Sequence, residues 1–310
     1  MKILITGGLG FIGSHLVATL GHNNDVDILD GFTKDYVGHK YIHRGNKGLQ
    51  ETNKIEKYHR ELNLKYRLEL IKDCFKEYYR YNAYENLPNK EYDLIINCGA
   101  LCEAILSQHF KQFTEESILT SVSKIKNKFP QTPVLHISSS MVYGTWEGVI
   151  NEQYSLGSVD HYGDMKIKAE TILSNNDVLL RPIHVYGMGD GKFPIWMNIE
   201  RQKEIDKPYL IEEAGCIYID DFVLAIKNIL DKWKSGTYNI CYSFNRSAEA
   251  LLSVYKKDIR IDKKLGPTGK PRGSLDCSKL LNTFGVDFMY KTYESTVDDY
   301  YKKYENYSKK

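Results

Sequence analysis

Long apolar runs are missing from this sequence: in 310 residues no stretch approaches the roughly 20 consecutive apolar positions that a membrane-crossing helix requires. An excess of either charge is missing too. Lys and Arg number 42 against 40 Asp and Glu, a net charge of +2, which argues against nucleic acid as the main partner and leaves room only for single phosphate pockets. The six cysteines (Cys74, Cys98, Cys102, Cys216, Cys241 and Cys277) form no Cys-x-x-Cys pair, and no His cluster has zinc spacing. A disulfide framework and a metal site are therefore not expected, and the thiols read as reduced and packed. Repeats and low-complexity tracts are also absent. The amino-terminal MKILITGGLGFIGSHL has one Lys before an apolar stretch that glycines interrupt, with no cleavage site after it, so it reads as strand, turn and helix rather than an export signal. The expectation is a cytoplasmic protein without membrane contact.

What is present is ordinary for a globular chain, 42% hydrophobic and 26% charged, enough for one large domain or two smaller ones. Short apolar runs recur at Ile3–Thr6, Val26–Leu29, Leu94–Asn97, Val134–Ser138 and Val178–Arg181. Helical patterns at 12–20, 65–78, 115–128 and 163–174 alternate with them. Nearly continuous apolar strands separated by helices specify an α/β fold: a doubly wound parallel sheet covered on both faces. Beyond residue 187 the alternation loosens into a helix at 193–203, a hairpin-like stretch before Tyr218 and Gly/Pro punctuation at 266–273. The expected division is a cofactor domain over 1–186, with returning segments near 216–242, and a smaller interleaved substrate cap over 187–310. The tail, 293–310, reads as a terminal helix that frays into solvent.

The run Thr6-Gly7-Gly8-Leu9-Gly10-Phe11-Ile12-Gly13 leaves the first strand and opens a helix, the context a phosphate-binding glycine loop needs. Gly7 suits the tight turn, Gly10 the approach of a pyrophosphate to backbone, and Gly13 close helix packing, while the helix N-terminus presents N–H groups to the anion. The second strand ends in Asp30, twenty positions after Gly10, where a carboxylate can accept both adenosine-ribose hydroxyls. The extra phosphate of NADP would meet like charge there, so the expected cofactor is NAD.

The spacing Gly-x-x-Gly-x-x-Gly resembles that of the short-chain dehydrogenases/reductases, and TGGLGFIGSHL is similar to their extended branch, the NAD-dependent epimerase/dehydratase family acting on nucleotide sugars. The resemblance implies further cofactor contacts: Glu61-Leu62 as an acidic-aliphatic pair beside adenine, Cys98-Gly99-Ala100 beneath the cofactor, the loop residues Phe11 and Ile12, and Pro182. It also implies a homodimer built on two helices per subunit.

Ser139 ends a strand in His136-Ile-Ser-Ser-Ser-Met-Val-Tyr-Gly144, and Tyr162-Gly-Asp-Met-Lys166 follows 23 positions later. Four residues apart on a helix, Tyr162 and Lys166 share a face, so an ammonium can sit near the phenol. A tyrosine titrates near 10, and working as a base near neutrality takes roughly 4 kcal/mol of preferential phenolate stabilisation. Lys166 and the nicotinamide charge can supply it. Ser139 can hydrogen-bond the same substrate oxygen, which makes Ser139, Tyr162 and Lys166 the expected catalytic residues. Tyr-x-x-x-Lys alone is common in a chain with 24 tyrosines; its order and spacing after the glycine loop, Asp30 and Ser139 give it meaning.

The family epimerises, dehydrates, decarboxylates or reduces nucleotide sugars. Its 4,6-dehydratases carry an Asp-Glu pair after the catalytic Ser/Thr, and its decarboxylases often carry Glu at the second position; here stand Ser140 and Met141, neither a carboxyl acid or base. Epimerisation, with tightly held NAD towards which Asp30 leans, and 4-keto-6-deoxysugar reduction remain; Gly269–Lys279 resembles a C-terminal segment of those reductases as well as that of the broader family, and the choice stays open. In the substrate half, Ser140, His184 and Arg272 are expected ligands of a nucleotide sugar, although His184 replaces the family's usual Asn and Ala214 stands where the family places a diphosphate-binding arginine. Two readings of other kinds stay open: an NAD-binding sensor without turnover, and an alcohol dehydrogenase or ketoreductase whose substrate carries no nucleotide.

Overall fold

The computed structural model describes residues 1–31, 41–42, 49–50, 54–99, 104–190, 195–204, 206–255, 260–264 and 273–309. Of the residues and stretches singled out above, Ala100, Cys102, Gly269, Arg272 and positions 266–272 lie outside this set.

Seven strands form one parallel sheet: β1 (Lys2–Thr6), β2 (Asp25–Leu29), β3 (Tyr78–Tyr79), β4 (Leu94–Asn97), β5 (Val134–Ile137), β6 (Val178–Pro182) and β7 (Gly236–Ile240). Their order is β7-β6-β5-β4-β1-β2-β3, with every neighbouring pair parallel. The winding reverses at β1, between β2 and β4, which opens a crevice at the carboxyl ends of the strands. All four residues of β4 and of β5 are buried, as expected of strands covered on both faces.

Helices α1 (Phe11–Leu20), α2 (Lys54–Ile71), α3 (Ser121–Lys128), α4 (His161–Glu170), α5 (Ile219–Asp231) and α6 (Tyr293–Ser308) cover the sheet and build the remainder. Asp160 starts α4: its carboxylate accepts the Gly163 N–H at 2.8 Å, satisfying a first-turn donor. Ahead of α3, a continuous helical run begins at Lys111 and passes through a π turn at Glu116–Thr120.

Three expectations change. The helix expected at 65–78 begins at Lys54 and stops at Ile71, and its final residues become β3, a strand two residues long whose pairing with β2 rather than its own pattern defines it. There is no hairpin before Tyr218. Tyr209–Ile211 pairs in parallel with Ile261–Lys263, and Ile217–Tyr218 in parallel with Val185–Tyr186, so both contacts are long-range. Nor does the tail fray. In α6, Tyr293, Val297, Tyr300, Tyr304 and Tyr307 recur every three or four residues and are all buried, a stripe that joins the main core. Tyrosine supplied the apolar face that a count of aliphatic residues misses.

Cys74, Cys216, Cys241 and Cys277 are buried free thiols and Cys98 is a half-buried one. Among the described residues no helix is long and apolar enough to cross a membrane, and no cluster of His, Cys, Asp or Glu could hold a metal.

Candidate active site

Gly7 leaves β1 with φ +68°, and a Cβ there would lie 2.8 Å from the Gly99 backbone. Its N–H donates to the Leu29 carbonyl at 2.8 Å, tying the loop to the end of β2. A Cβ on Gly13 would stand 2.1 Å from the Gly7 carbonyl oxygen, so only glycine lets α1 start this close to the strand. Gly10 caps α1 without help from any side chain, and the first turn, which includes Phe11, Ile12 and Gly13, holds no acidic residue. Backbone donors and the helix dipole thus face an unobstructed approach over Gly10, which suits a pyrophosphate. The loop fits NAD.

Asp30 completes this side. One carboxylate oxygen accepts the Leu9 N–H at 3.0 Å, which holds the loop against the end of β2. The Asn82 amide lies so near Gly31 that a Cβ there would meet it at 2.1 Å. Glu61 and Leu62 depart from their expected place. They sit in the middle of α2, Glu61 exposed and Leu62 packed against the core, whereas the strand end facing Asp30 is that of β3, followed by Arg80–Asn82. Their helical register, not a strand end, fixes their direction.

Other residues of α2 do reach the loop. Arg67 donates through Nε to the Leu9 carbonyl at 3.0 Å and through Nη1 to the Gly189 carbonyl at 2.6 Å. Asn63 accepts the Gly189 N–H at 2.9 Å. Gly189, with φ +94°, is therefore held at both its N–H and its carbonyl, and the glycine loop is tied to the segment after β6. Neither was singled out from the sequence: the helix expected at 65–78 leaves Asn63 outside it and contains Arg67 without showing that it reaches the loop.

At the end of β5, Ser139 has extended backbone (φ −162°, ψ 151°), and its hydroxyl accepts the Met141 N–H at 3.2 Å, starting the 3-10 turn Ser140–Tyr143. Tyr162 lies in the first turn of α4. A Cβ on Gly163 would meet the Met141 carbonyl at 2.7 Å, so glycine lets α4 press directly on the turn that follows Ser139. Lys166, one turn further, donates to the Ile137 carbonyl at 2.8 Å, and its Nζ is 5.8 Å from the centre of the Tyr162 ring. Ser139, Tyr162 and Lys166 are all buried. The ammonium is thus fixed between the carboxyl end of β5 and the Tyr162 ring.

Beneath this surface runs a polar network. Thr6 donates to Asn97 Oδ1 at 2.6 Å, and Asn97 Nδ2 donates to His136 Nδ1 at 3.0 Å. Burial, helped by the nearby Lys166 charge, lowers the His136 pKa well below its usual value, so the imidazole is neutral. Burial also pushes the Cys98 thiol up to about 12, against the opposing pull of Lys166, and leaves Cys98 a packing residue rather than a nucleophile. Behind Ser139, Ser138 donates to Glu170 at 2.5 Å, and Glu170 pairs with Arg181 through two bonds of 3.1 and 2.6 Å. Arg181 donates onward to the Tyr143 hydroxyl at 2.9 Å, which donates to Asn239 at 2.7 Å. Glu170 was legible as a carboxylate four residues after Lys166, on the buried face of the same helix.

On the cap side Pro182 is buried at the end of β6. His184 stacks on Tyr186, ring centres 6.0 Å apart and 15° from parallel, and its carbonyl accepts the Ile217 N–H at 2.9 Å. Ser140 is buried at the head of the 3-10 turn. Ala214 is buried as well, and its carbonyl accepts the Arg246 N–H at 3.0 Å.

Residues 3–241 match the model of the NAD dependent epimerase/dehydratase family. The chain belongs to that family. Among curated members it is 29% identical over 300 residues to a dTDP-D-glucose 4,6-dehydratase of Dictyostelium discoideum, covering 84% of this chain but only 62% of the relative's length. It is 23% identical to a GDP-6-deoxy-D-talose 4-dehydrogenase of Aggregatibacter actinomycetemcomitans, covering 97% of each. In fold this family member is similar to the UDP-glucuronic acid 4-epimerase of Bacillus cereus, solved with UDP-glucuronic acid and NAD (TM-score 0.77, 20% identity, 99% of each chain covered).

Proposed function

We propose that the chain is an NAD-dependent nucleotide-sugar 4-epimerase with Ser139, Tyr162 and Lys166 as its catalytic residues. What carries the reading is the pressing of α4 onto the turn after Ser139, which gathers phenol, hydroxyl and ammonium at the carboxyl end of β5, while Ser140 and Met141 offer no carboxyl group for a lyase. That substitution separates the site from dehydration, even though one curated relative is a 4,6-dehydratase.

NAD would be held by the backbone of Gly7, Gly10, Phe11, Ile12 and Gly13, by Asp30 at the adenosine ribose, and by Cys98, Gly99, Lys166 and Pro182 nearer the nicotinamide. When bound it supplies a hydride acceptor that later returns the hydride. Tyr162, held as phenolate by Lys166, takes the proton of the sugar C4 hydroxyl, while Ser139 donates a hydrogen bond to the same oxygen and fixes its direction. After the keto sugar has turned its other face to the site, Tyr162 returns the proton. The cap, 187–310, serves the nucleotide end, with His184 and Ser140 on its route, and the sheet half, with β7 returning to it, serves the cofactor. Exposed Phe110 and Phe113, beside the helical run leading to α3, support a homodimer through that face.

A second reading, reduction of a nucleotide-linked 4-keto-6-deoxysugar, is favoured by the full-length match to the 4-dehydrogenase. Thermal shift against UDP-, dTDP-, GDP- and CDP-sugars tests what both readings share. At least one should raise the melting temperature; no shift with any of them would favour a substrate without a nucleotide.

A further inference from the structure

Arg246 is a partly buried arginine with nothing to hold. Its Nε is buried without a hydrogen-bond partner, and among the described residues no carboxylate stands within ion-pair distance of its guanidinium. A guanidinium nitrogen buried without a partner is costly, and an anion reaching it would relieve the cost. Its backbone is well fixed. The Arg246 N–H donates to the Ala214 carbonyl at 3.0 Å, and the adjacent Asn245 forms an antiparallel bridge with Gly215.

Burial raises the pKa of Cys216 and of Tyr293, and the charge of Arg246 opposes that rise in both. Alternate residues of an extended segment share a face, so Ala214 and Cys216 look the same way, and the backbone bond from Ile217 to His184 sets His184 beside them. Gly215 between them is packed against Ser274 and Ile183, which a Cβ would meet at 2.6 and 3.1 Å. Ile183 directly follows β6. The Arg246 backbone therefore stands against the segment that packs on Ile183 at the carboxyl end of β6, directly beside the position where the family resemblance expects an arginine and this chain has alanine.

We propose that Arg246 binds the diphosphate of the nucleotide substrate, performing from the facing segment the task left vacant by Ala214. The proposal rests on the nucleotide-sugar reading. A planar guanidinium offers two parallel donors to phosphate oxygens, and one whose Nε is already out of water loses little further hydration on binding. The small side chain at 214 is what gives it room: a second arginine there would compete for the same space and the same anion.

Calorimetric titration of the NAD-loaded protein with UDP, dTDP, GDP and CDP tests this. The nucleoside diphosphate that the unaltered protein binds best should bind Arg246→Gln on the order of a hundredfold more weakly, and Arg246→Lys, which keeps the charge but not the fork, about tenfold more weakly. NAD content should stay unchanged in both, since the glycine loop is untouched. Undiminished nucleoside-diphosphate binding by either variant overturns the role of Arg246 and leaves the substrate class intact. If the unaltered protein binds none of the four, the nucleotide-sugar reading falls, and the role of Arg246 with it. Should Arg246→Gln not fold, Arg246→Lys alone decides.

Discussion

Tyr162 is the residue on which the proposed chemistry turns. Replacing it by Phe removes the proton acceptor and leaves the ring's packing among Ile118, Val122 and Met165 intact. Turnover should fall on the order of a thousandfold while NAD binding persists; near-normal turnover in Tyr162→Phe would sink the assignment. The residues proposed for this chemistry were readable in the sequence because residue type itself is the message: Ser139, Tyr162, Lys166 and Asp30 by their side chains, and the glycines by lacking one. Those that went unread act through placement. Arg67 and Asn63 matter because α2 begins at Lys54 and carries them to Leu9 and Gly189, and Gly163 matters because Met141 lies against it. Arg246 looks like any loop arginine until the facing Ala214 is found beside it.

Among the elements, β5 and α4 form the working pair, and the Glu170–Arg181 ion pair locks the far end of α4 to β6. Both partners are buried, so truncating one strands the other's charge. Glu170→Ala should cost about 3–5 kcal/mol in stability, seen as a lowered denaturation midpoint; a loss under about 1 kcal/mol would mean that water or a neighbour replaces the carboxylate. The strands of this layer were legible as apolar runs because both faces are buried and nothing interrupts the pattern. β3 and the parallel pairs of the cap were not, since two- or three-residue strands carry too few positions to show a period and owe their existence to partners far along the chain. α6 was legible as a helix but not as a buried one. Its core stripe is mostly tyrosine, which reads as ambivalent until Trp196 and Tyr255 are seen packed with Tyr300 and Tyr301.

For the whole molecule, buried neutral histidines tie stability to pH. Burial lowers His15 from 6.5 to about 4, and His136 is displaced in the same direction. In the unfolded chain these groups take up protons below about pH 6.5, whereas the folded chain resists, so protonation favours unfolding. The stabilisation is complete above pH 6.5 and is lost as the pH falls toward 4, by about 3 kcal/mol for His15 alone. His15→Phe should flatten the decline of melting temperature between pH 6.5 and 4; an unchanged slope would remove His15 from the account. The same whole-molecule view joins the two halves of the site. α2 ties the glycine loop to the segment after β6, and β7 pairs with β6, so the two sides of the proposed site are built on one sheet.

In the proposed reaction this sheet holds NAD through a closed cycle of oxidation and reduction at C4 of a nucleotide sugar. NMR of the NAD-loaded protein with UDP-, dTDP-, GDP- and CDP-hexoses, without added reductant, follows that cycle directly. The account predicts that one of them is converted to a mixture with its C4 epimer without net change in NADH. Failure of every hexose to epimerise, together with stoichiometric oxidation of NADH in a second assay to which NADH and a nucleotide-linked 4-keto-6-deoxysugar are added, would contradict it and make the protein a reductase.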